Sequence, residues 1–431
     1  MVDPLAPLQV EYLPPERGLA IVRQAPPATS ASFSATYVGP GGWAYDPRGG
    51  EGTARLTNSL VTRAAGPYGR RELARRLDRA GAALARQCAP ESAEVSIWGP
   101  AESWESLLGL LALAVQRPRF DPEDVAQARR ELVERQLREA TQPDRRAERE
   151  LFHRLFPPGH PYRETGLGSR RSLPALTRTS LARYHRDHYT AAGGLLVVTA
   201  PARAPAIRAA VRRRFEPFAE RPAPRAVPLR SRAPPRGLTT VDLPGRSQVE
   251  VRFGGPSIAR SDPRYPAAFL ANEILGGRPL LGRLFQRVRE KGGLAYHASS
   301  DLEAMRWGGY WTAQAGTGAD RWKAVVPMIE RELGRLRERS PSAEELALVR
   351  ESAIGEMALS LESTSDAHEL AVDAAYHGLA EDHWRRWPEV LRSVRPDAVR
   401  DAARAALGAD GQVTVVAGPL HPRSSAARHP T

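Results

Sequence analysis

The chain has 431 residues, with 62 Lys and Arg against 49 Asp and Glu and a formal net charge of +13. That length exceeds what one hydrophobic core accommodates and suits two to four domains. A single cysteine, Cys88, excludes both a disulfide framework and a Cys-rich zinc site. No run approaches the ~20 consecutive apolar residues of a membrane span, and the opening "MVDPLAPLQVEYLPPERG" lacks the basic and apolar regions of a signal peptide. The expected location is the cytoplasm, or the periplasm had a leader been removed. Only Lys291 and Lys323 are lysines, so nearly all the positive charge is arginine. These arginines alternate with acids, as in "RRELARRLDRAG" and "RELGRLRERS". That is the pattern of solvated helix faces, not the clustered footprint of a nucleic-acid binder.

In chain order, "SASFSATYVG" (30–39) alternates small or polar residues with Phe, Tyr and Val and predicts a half-buried strand. "SWESLLGLLALAVQ" (103–116) carries leucines at helical spacing, and "DPEDVAQARRELVERQLREA" opens with an N-cap and first-turn signal. "LLVVTAP", ending at Pro201, closes this half as a strand. "ERPAPRAVPLRSRAPPRG" (220–237) has no periodicity and predicts an extended linker. Beyond it, "SQVEVRFGG" (247–255) reads as a strand and "SPSAEELALVRESAIGEMALSLES" as a capped helix.

The second half repeats the first. "RGLAIV" at Arg17 returns as "RGLTTV" at Arg236, and "DPR" at Asp46 returns at Asp262, each followed by an Asn (Asn58 and Asn272). "LTRTSLARY" at Leu176 has its counterpart in "VRPDAVRDA" at Val394, and "LLVVTAP" in "VTVVAGP" ending at Pro419. The offsets are 219, 216, 218 and 218 residues. Four landmarks in one order at one offset indicate an internal duplication. The expected fold class is α+β. Two homologous α/β-sandwich halves, 1–219 and 238–431, would each have an antiparallel-rich sheet with helices on one face.

Catalytic signatures are sparse. There is no phosphate-cradling loop and no nucleophile elbow. "HRDH" places His185 and His188 three residues apart on a helix, without the third ligand a metal needs. His160, in the proline-rich "FPPGHPYRETG", reads as a loop-ordering residue. In "RVREKGGLAYHASS", Arg289 and Tyr296 flank Gly292 and Gly293. On residue type alone the tyrosine suits a core and the arginine a surface ion pair.

A resemblance gives these residues another reading. "LFPPGHPYRETGLGSRRSLPALTRTSLARYHRDHYTAAGGLLVVTA" resembles the matching stretch of the M16 zinc metallopeptidases, the pitrilysin, insulinase and processing-peptidase group. "LPGRSQVEVRFGGPSIARSDPRYPAAFLANEILGG" followed by "LFQRVREKGGLAY" is similar to the second-half signature of its short bacterial members. The family's zinc motif is His-x-x-Glu-His on a first-half helix, completed by a downstream Glu. Here the slots fall on Arg55, Leu56, Thr57, Asn58 and Ser59 of "GTARLTNSLVTRAAG", with the distal slot near Glu134. The resemblance therefore implies no metal in this chain, and a cation at Arg55 where the metal would sit. It also implies that Arg289 and Tyr296 bind substrate and stabilise the tetrahedral intermediate in a facing subunit. Gly276 and Gly277, in "ILGGRPLLGRLF", match a substrate-path loop, although Arg278 and Leu280 depart from its pattern.

The function this implies is the non-catalytic subunit of a heterodimeric peptidase. Its partner would be a homologous subunit with intact His-x-x-Glu-His holding the zinc, and its substrate an unfolded peptide. The alternative is a purely structural subunit of the same family.

Overall fold

A computed structural model describes residues 9–16, 18–26, 31–215, 218, 222, 224, 236–408 and 411–420. The strands of the first half are β1 (Val10–Glu16), β2 (Leu19–Gln24), β3 (Ser32–Gly39), β4 (Ala83–Cys88), β5 (Ala93–Pro100) and β6 (Leu195–Thr199). Those of the second are β7 (Gly237–Asp242), β8 (Val249–Ser257), β9 (Ala295–Ala304), β10 (Gly309–Thr317) and β11 (Val413–Gly418). The principal first-half helices are α1 (Thr53–Val61), α2 (Arg70–Arg79), α3 (Trp104–Gln116), α4 (Pro122–Thr141) and α5 (Pro143–Leu155). They are followed by α6 (Ser172–Ala175), α7 (Arg178–His188) and α8 (Ala204–Arg214). The second half contributes α9 (Tyr265–Asn272), α10 (Trp322–Glu338), α11 (Ala343–Ser360), α12 (Thr364–Tyr376), α13 (His383–Ser393) and α14 (Pro396–Ala406). The anticipated linker, 220–237, lies mostly outside the described residues, and its last residue, Gly237, opens β7.

The duplication is written in the sheets. The first has the order β1-β2-β6-β3-β5-β4 and the second β7-β11-β8-β10-β9. Without β1, each strand has a counterpart in the same place. Each sheet has one parallel pair, β2 with β6 and β7 with β11, and its other neighbours are antiparallel. The repeated landmarks acquire physical reasons. Asp46 accepts backbone N–H bonds at the start of α1, and Asp262 accepts one from Arg264 just before α9. Asn58 and Asn272 are both buried, and each donates its amide to a strand carbonyl, Glu94 and Ser300 respectively.

The helices do not stay on one face. Phe33, Ala35 and Ile97 of the first sheet pack with Leu107, Leu111, Ile207 and Val211 of α3 and α8. The opposite face, formed by Val22, Val38, Leu195 and Val197, meets Ala371 and Val372 of α12, from the second half of the sequence. Reciprocally, α5 packs against β8 and β11 of the second sheet. There a Cβ on Gly254 would lie 3.0 Å from Leu151 Cδ2, so the glycine admits the helix. α5 and α12 hold equivalent places, each following its half's long helix. The compact units are therefore Met1–Gln136, Thr165–Leu229 and Ile354–Pro388 in one, and Leu137–Glu164, Arg230–Ala353 and Glu389–Thr431 in the other. Burial explains the exchange: β6 is buried at every position, which requires cover on both faces.

The two seams differ chemically. Under α12, His368 is buried with Nδ1 2.8 Å from Thr199 Oγ1 and Nε2 2.9 Å from Thr36 Oγ1. Thr199 donates onward to Gln24 Oε1. Burial pushes the imidazole down to about 4, so it is neutral. Under α5 the facing residues are Ala147 and Leu151, both buried.

Candidate functional site

The helix expected to carry the metal motif is α1. Gly52, at φ +94°, precedes it and passes 3.0 Å from Gly168 Cα as measured from an added Cβ. Asp46 caps it, accepting from the N–H of Gly52 and of Ala54, both at 2.7 Å. Burial pushes the Asp46 carboxyl up to about 7 against the pull of those two donors.

Each motif slot is then occupied by a side chain turned to the protein's own groups. Arg55 donates from Nη2 to the Thr165 carbonyl (2.8 Å), and its guanidinium lies 4.8 Å from the centre of the Trp43 ring. Leu56 is core, and Thr57 is fully buried. Asn58 donates to the Glu94 carbonyl (3.2 Å) and the Tyr189 hydroxyl (3.1 Å). Ser59 bonds within its own turn, to the Leu56 carbonyl (2.7 Å). On α4, Glu131 pairs with the buried Arg63, while Glu134 lies on the exposed face. A guanidinium, an amide and a hydroxyl in place of two imidazoles and a carboxylate do not fit zinc. Among the described residues no three His, Cys, Asp or Glu side chains converge to hold a metal ion.

The three histidines singled out in the sequence bond to the protein's own backbone. His185 donates from Nε2 to the Val115 carbonyl (2.8 Å) and stacks on Tyr189, while His188 donates from Nδ1 to the Tyr184 carbonyl (2.9 Å). His160 accepts from the Tyr162 N–H (3.1 Å) and stacks on Phe156, ordering its loop. Cys88 is a free thiol at the end of β4.

The second-half pair is built differently. β9 is the edge strand of its sheet. β10 pairs Gly316 with His297 and Thr317 with Ala295, so Tyr296 is the extra residue of a β-bulge. A bulge takes one side chain out of the alternating pattern and re-aims it. Tyr296 is 64% exposed, which removes the core reading of this tyrosine. Arg289 is exposed on a π-helical turn, Phe285–Glu290, with its guanidinium 4.9 Å from the Phe285 ring centre. It has no carboxylate partner among the described residues, so the ion-pair reading falls as well.

Between them the glycines make a fixed turn. A Cβ on Gly292 would come within 2.8 Å of the Arg287 carbonyl, and Gly293 has φ +57°. Leu294 N–H returns to the Val288 carbonyl, and Arg321 donates to the Gly293 carbonyl (2.9 Å). Arg289 and Tyr296 are thereby held by backbone bonds.

Gly276 and Gly277 end another π-helical segment, Glu273–Gly277. An added Cβ on Gly276 would fall 2.8 Å from the backbone Ser300 N, so close packing demands that glycine, while one on Gly277 would meet only the side-chain end of Glu273, at 2.4 Å from Oε1. Arg278 departs from the anticipated pattern because it forms a buried ion pair with Glu273 at 2.7 Å. The bulge at Tyr296 and the seam around His368 were not anticipated from sequence. Only "GLAYHASS" hinted at the bulge, and nothing in the chain text marks His368's partners.

The chain is similar to known proteins in sequence and in fold. The family described as the peptidase M16 inactive domain matches residues 175–353. An uncharacterized zinc protease of Streptomyces coelicolor is 30% identical over 274 residues, 61% of this chain and 58% of that protein. One of Bacillus subtilis is 32% identical over 118 residues, 27% of this chain and 29% of that protein. The chain thus matches less than two thirds of the length of these relatives. Among solved structures, a peptidase M16 inactive domain from Pseudomonas fluorescens superposes with a TM-score of 0.89 at 22% identity, covering 96% of this chain and 99% of that one. A protease from Helicobacter pylori gives 0.85 at 16% identity, covering 95% and 99%. No described helix is long and apolar enough to cross a membrane. Residues 175–353 thus match the peptidase M16 inactive domain, and the fold is that of solved M16 peptidase structures.

Proposed function

We propose that this chain is the non-catalytic subunit of a two-chain M16-type peptidase, contributing Arg289 and Tyr296 to peptide bound at a partner's metal. The observation that carries the reading is the pair itself. A tyrosine re-aimed by an edge-strand bulge and an arginine without a carboxylate partner among the described residues stand at the two ends of one fixed turn. The partner subunit, with intact His-x-x-Glu-His, would hold the zinc, whose role is to activate water and polarise the scissile carbonyl. This chain's share is to donate hydrogen bonds. The Arg289 guanidinium binds a substrate carbonyl, and the Tyr296 hydroxyl donates to an oxygen that gains negative charge in the transition state. The substrate is an unfolded peptide, whose extended backbone can lie along the open edge of β9.

The test is reconstitution. The isolated chain should carry no stoichiometric zinc by plasma emission and cleave no peptide, and cleavage should appear on adding a sibling that bears the intact motif. One tightly held zinc per isolated chain contradicts the reading. A complex whose turnover is indifferent to the presence of this chain makes it a scaffold.

A further inference from the structure

One side of α3 has no part in the reading above. From Leu107 to Val115 this helix carries no polar side chain, and a helix apolar all round calls for cover all round. Toward the first sheet the cover is complete: Leu107, Leu108 and Leu111 are fully buried in its core. On the other side Gly109, Leu110 and Leu113 floor a groove of about 630 Å³, walled by the last turns of α2 and α8. There Leu110 and Leu113 are only partly buried.

The rim of the groove is basic. Arg76 and Arg79 belong to the last turn of α2, Arg213 and Arg214 to that of α8, and Arg117 directly follows α3. Two of them have acids of their own. Arg76 pairs with Glu72 (3.0 Å) and lies over the Tyr68 ring, and Arg213 pairs with Glu105 (3.0 Å). Arg79, Arg117 and Arg214 have no carboxylate partner among the described residues. Arg214 is laid along α3, since a Cβ added to Gly109 would be 3.3 Å from its Nε. Gln116 is already engaged: Nε2 donates to the Ala112 and Arg214 carbonyls, and Oε1 is enclosed. A helix C-terminus carries about half a negative charge and attracts a cation, which accounts for one arginine at each of the three helix ends. Three guanidiniums against three half charges still leave a surplus of roughly +1.5 beside an apolar floor.

We propose that this groove binds a small amphiphilic anion, an apolar chain ending in a single carboxylate or phosphate group. The guanidiniums of Arg117 and Arg214 take the anionic head, which suits their forked donors, and Leu110 and Leu113 take the chain out of water. The small surplus of charge fits one head group and not a polyanion, and it repels a cation. A concave site of this size, apolar at the floor with a few charged groups at the rim, has the build of a small-molecule site. The groove lies wholly in the first half of the chain and Arg289 and Tyr296 in the second, so the proposal stands apart from the peptidase reading.

The test is calorimetric titration of the full isolated chain with octanoate, octyl phosphate, octanol, acetate and inorganic phosphate. At least one of the two octyl anions should bind with one-to-one stoichiometry, and whichever is tighter identifies the head group. That anion should bind roughly 10–150-fold more tightly than octanol, the worth of a charge-assisted hydrogen bond. It should also exceed acetate or inorganic phosphate at least tenfold, since burying two methylenes already gives about that much. The chain's net charge of +13 attracts every anion, so this second comparison separates a site from nonspecific attraction. Arg117→Gln/Arg214→Gln should remove the preference for the anion over octanol while leaving the melting temperature unchanged. Arg183→Gln/Arg186→Gln, which removes the same charge from α7, should leave binding as it is. Octyl anions that bind no more tightly than octanol, or no more tightly than the short anions, overturn the proposal. So does undiminished binding in the folded groove variant, or an equal loss in the α7 variant. No partner subunit enters the experiment, so its failure and the failure of the peptidase reading are distinguishable.

Discussion

The two halves share one strand order and differ in what they do with their polar side chains. Along α1 the motif positions have turned inward: Arg55 to Thr165 and Trp43, Asn58 to Glu94 and Tyr189, Ser59 to its own turn. At β9 and the turn before it the polar side chains face outward, with Tyr296 exposed on its bulge and Arg289 without an acid partner among the described residues. The same fold thus carries inward-bonded polar side chains on α1 and exposed ones around the start of β9. The exchanged helices make a second contrast, a buried histidine network within the seam under α12 and Ala147 and Leu151 under α5.

The largest stability effects should separate those seams. Leu151→Ala removes packing under α5 and should cost about 2–5 kcal/mol, by the same amount in urea melts at pH 7 and pH 5. His368 responds to pH. Its folded value of about 4 lies below the ordinary 6.5, so the unfolded chain takes up the proton first. Stability present above about pH 6.5 should therefore be lost as pH falls toward 4, by up to ~3 kcal/mol for this residue. His185, also lowered to about 4 by burial, adds to the slope in the same direction. His368→Ala should cost less at pH 5 than at pH 7. Equal costs would remove the contrast.

A smaller pair of effects cuts across the first comparison. Arg289→Ala should leave the melting curve unchanged and weaken peptide binding in the reconstituted complex by roughly 1.5–3 kcal/mol, seen chiefly in KM. Arg55→Ala should do the reverse, costing about 1–2 kcal/mol of stability through its lost bond and ring contact while leaving turnover alone. Loss of turnover in Arg55→Ala would mean that α1 still serves the site.

The sequence made the duplication legible because strand and helix periodicities survive divergence, and the landmarks "DPR" and "LLVVTAP" kept one offset. It marked α5 and α12 as helices but not what each covers, since an apolar stripe does not name its partner. The inward turn of Arg55 and Asn58 depends on Thr165, Glu94 and Tyr189, which are remote in the chain.

The most direct test of the division of labour is the turnover of a reconstituted complex carrying Tyr296→Phe, with co-elution on a sizing column as the control for association. This change removes one exposed hydroxyl and leaves the bulge in place. Loss of a single donor to a developing oxyanion typically costs about 10²–10³ in turnover, and that loss is the predicted result. A complex that assembles normally and cleaves at the wild-type rate would show that Tyr296 does not reach the reacting carbonyl.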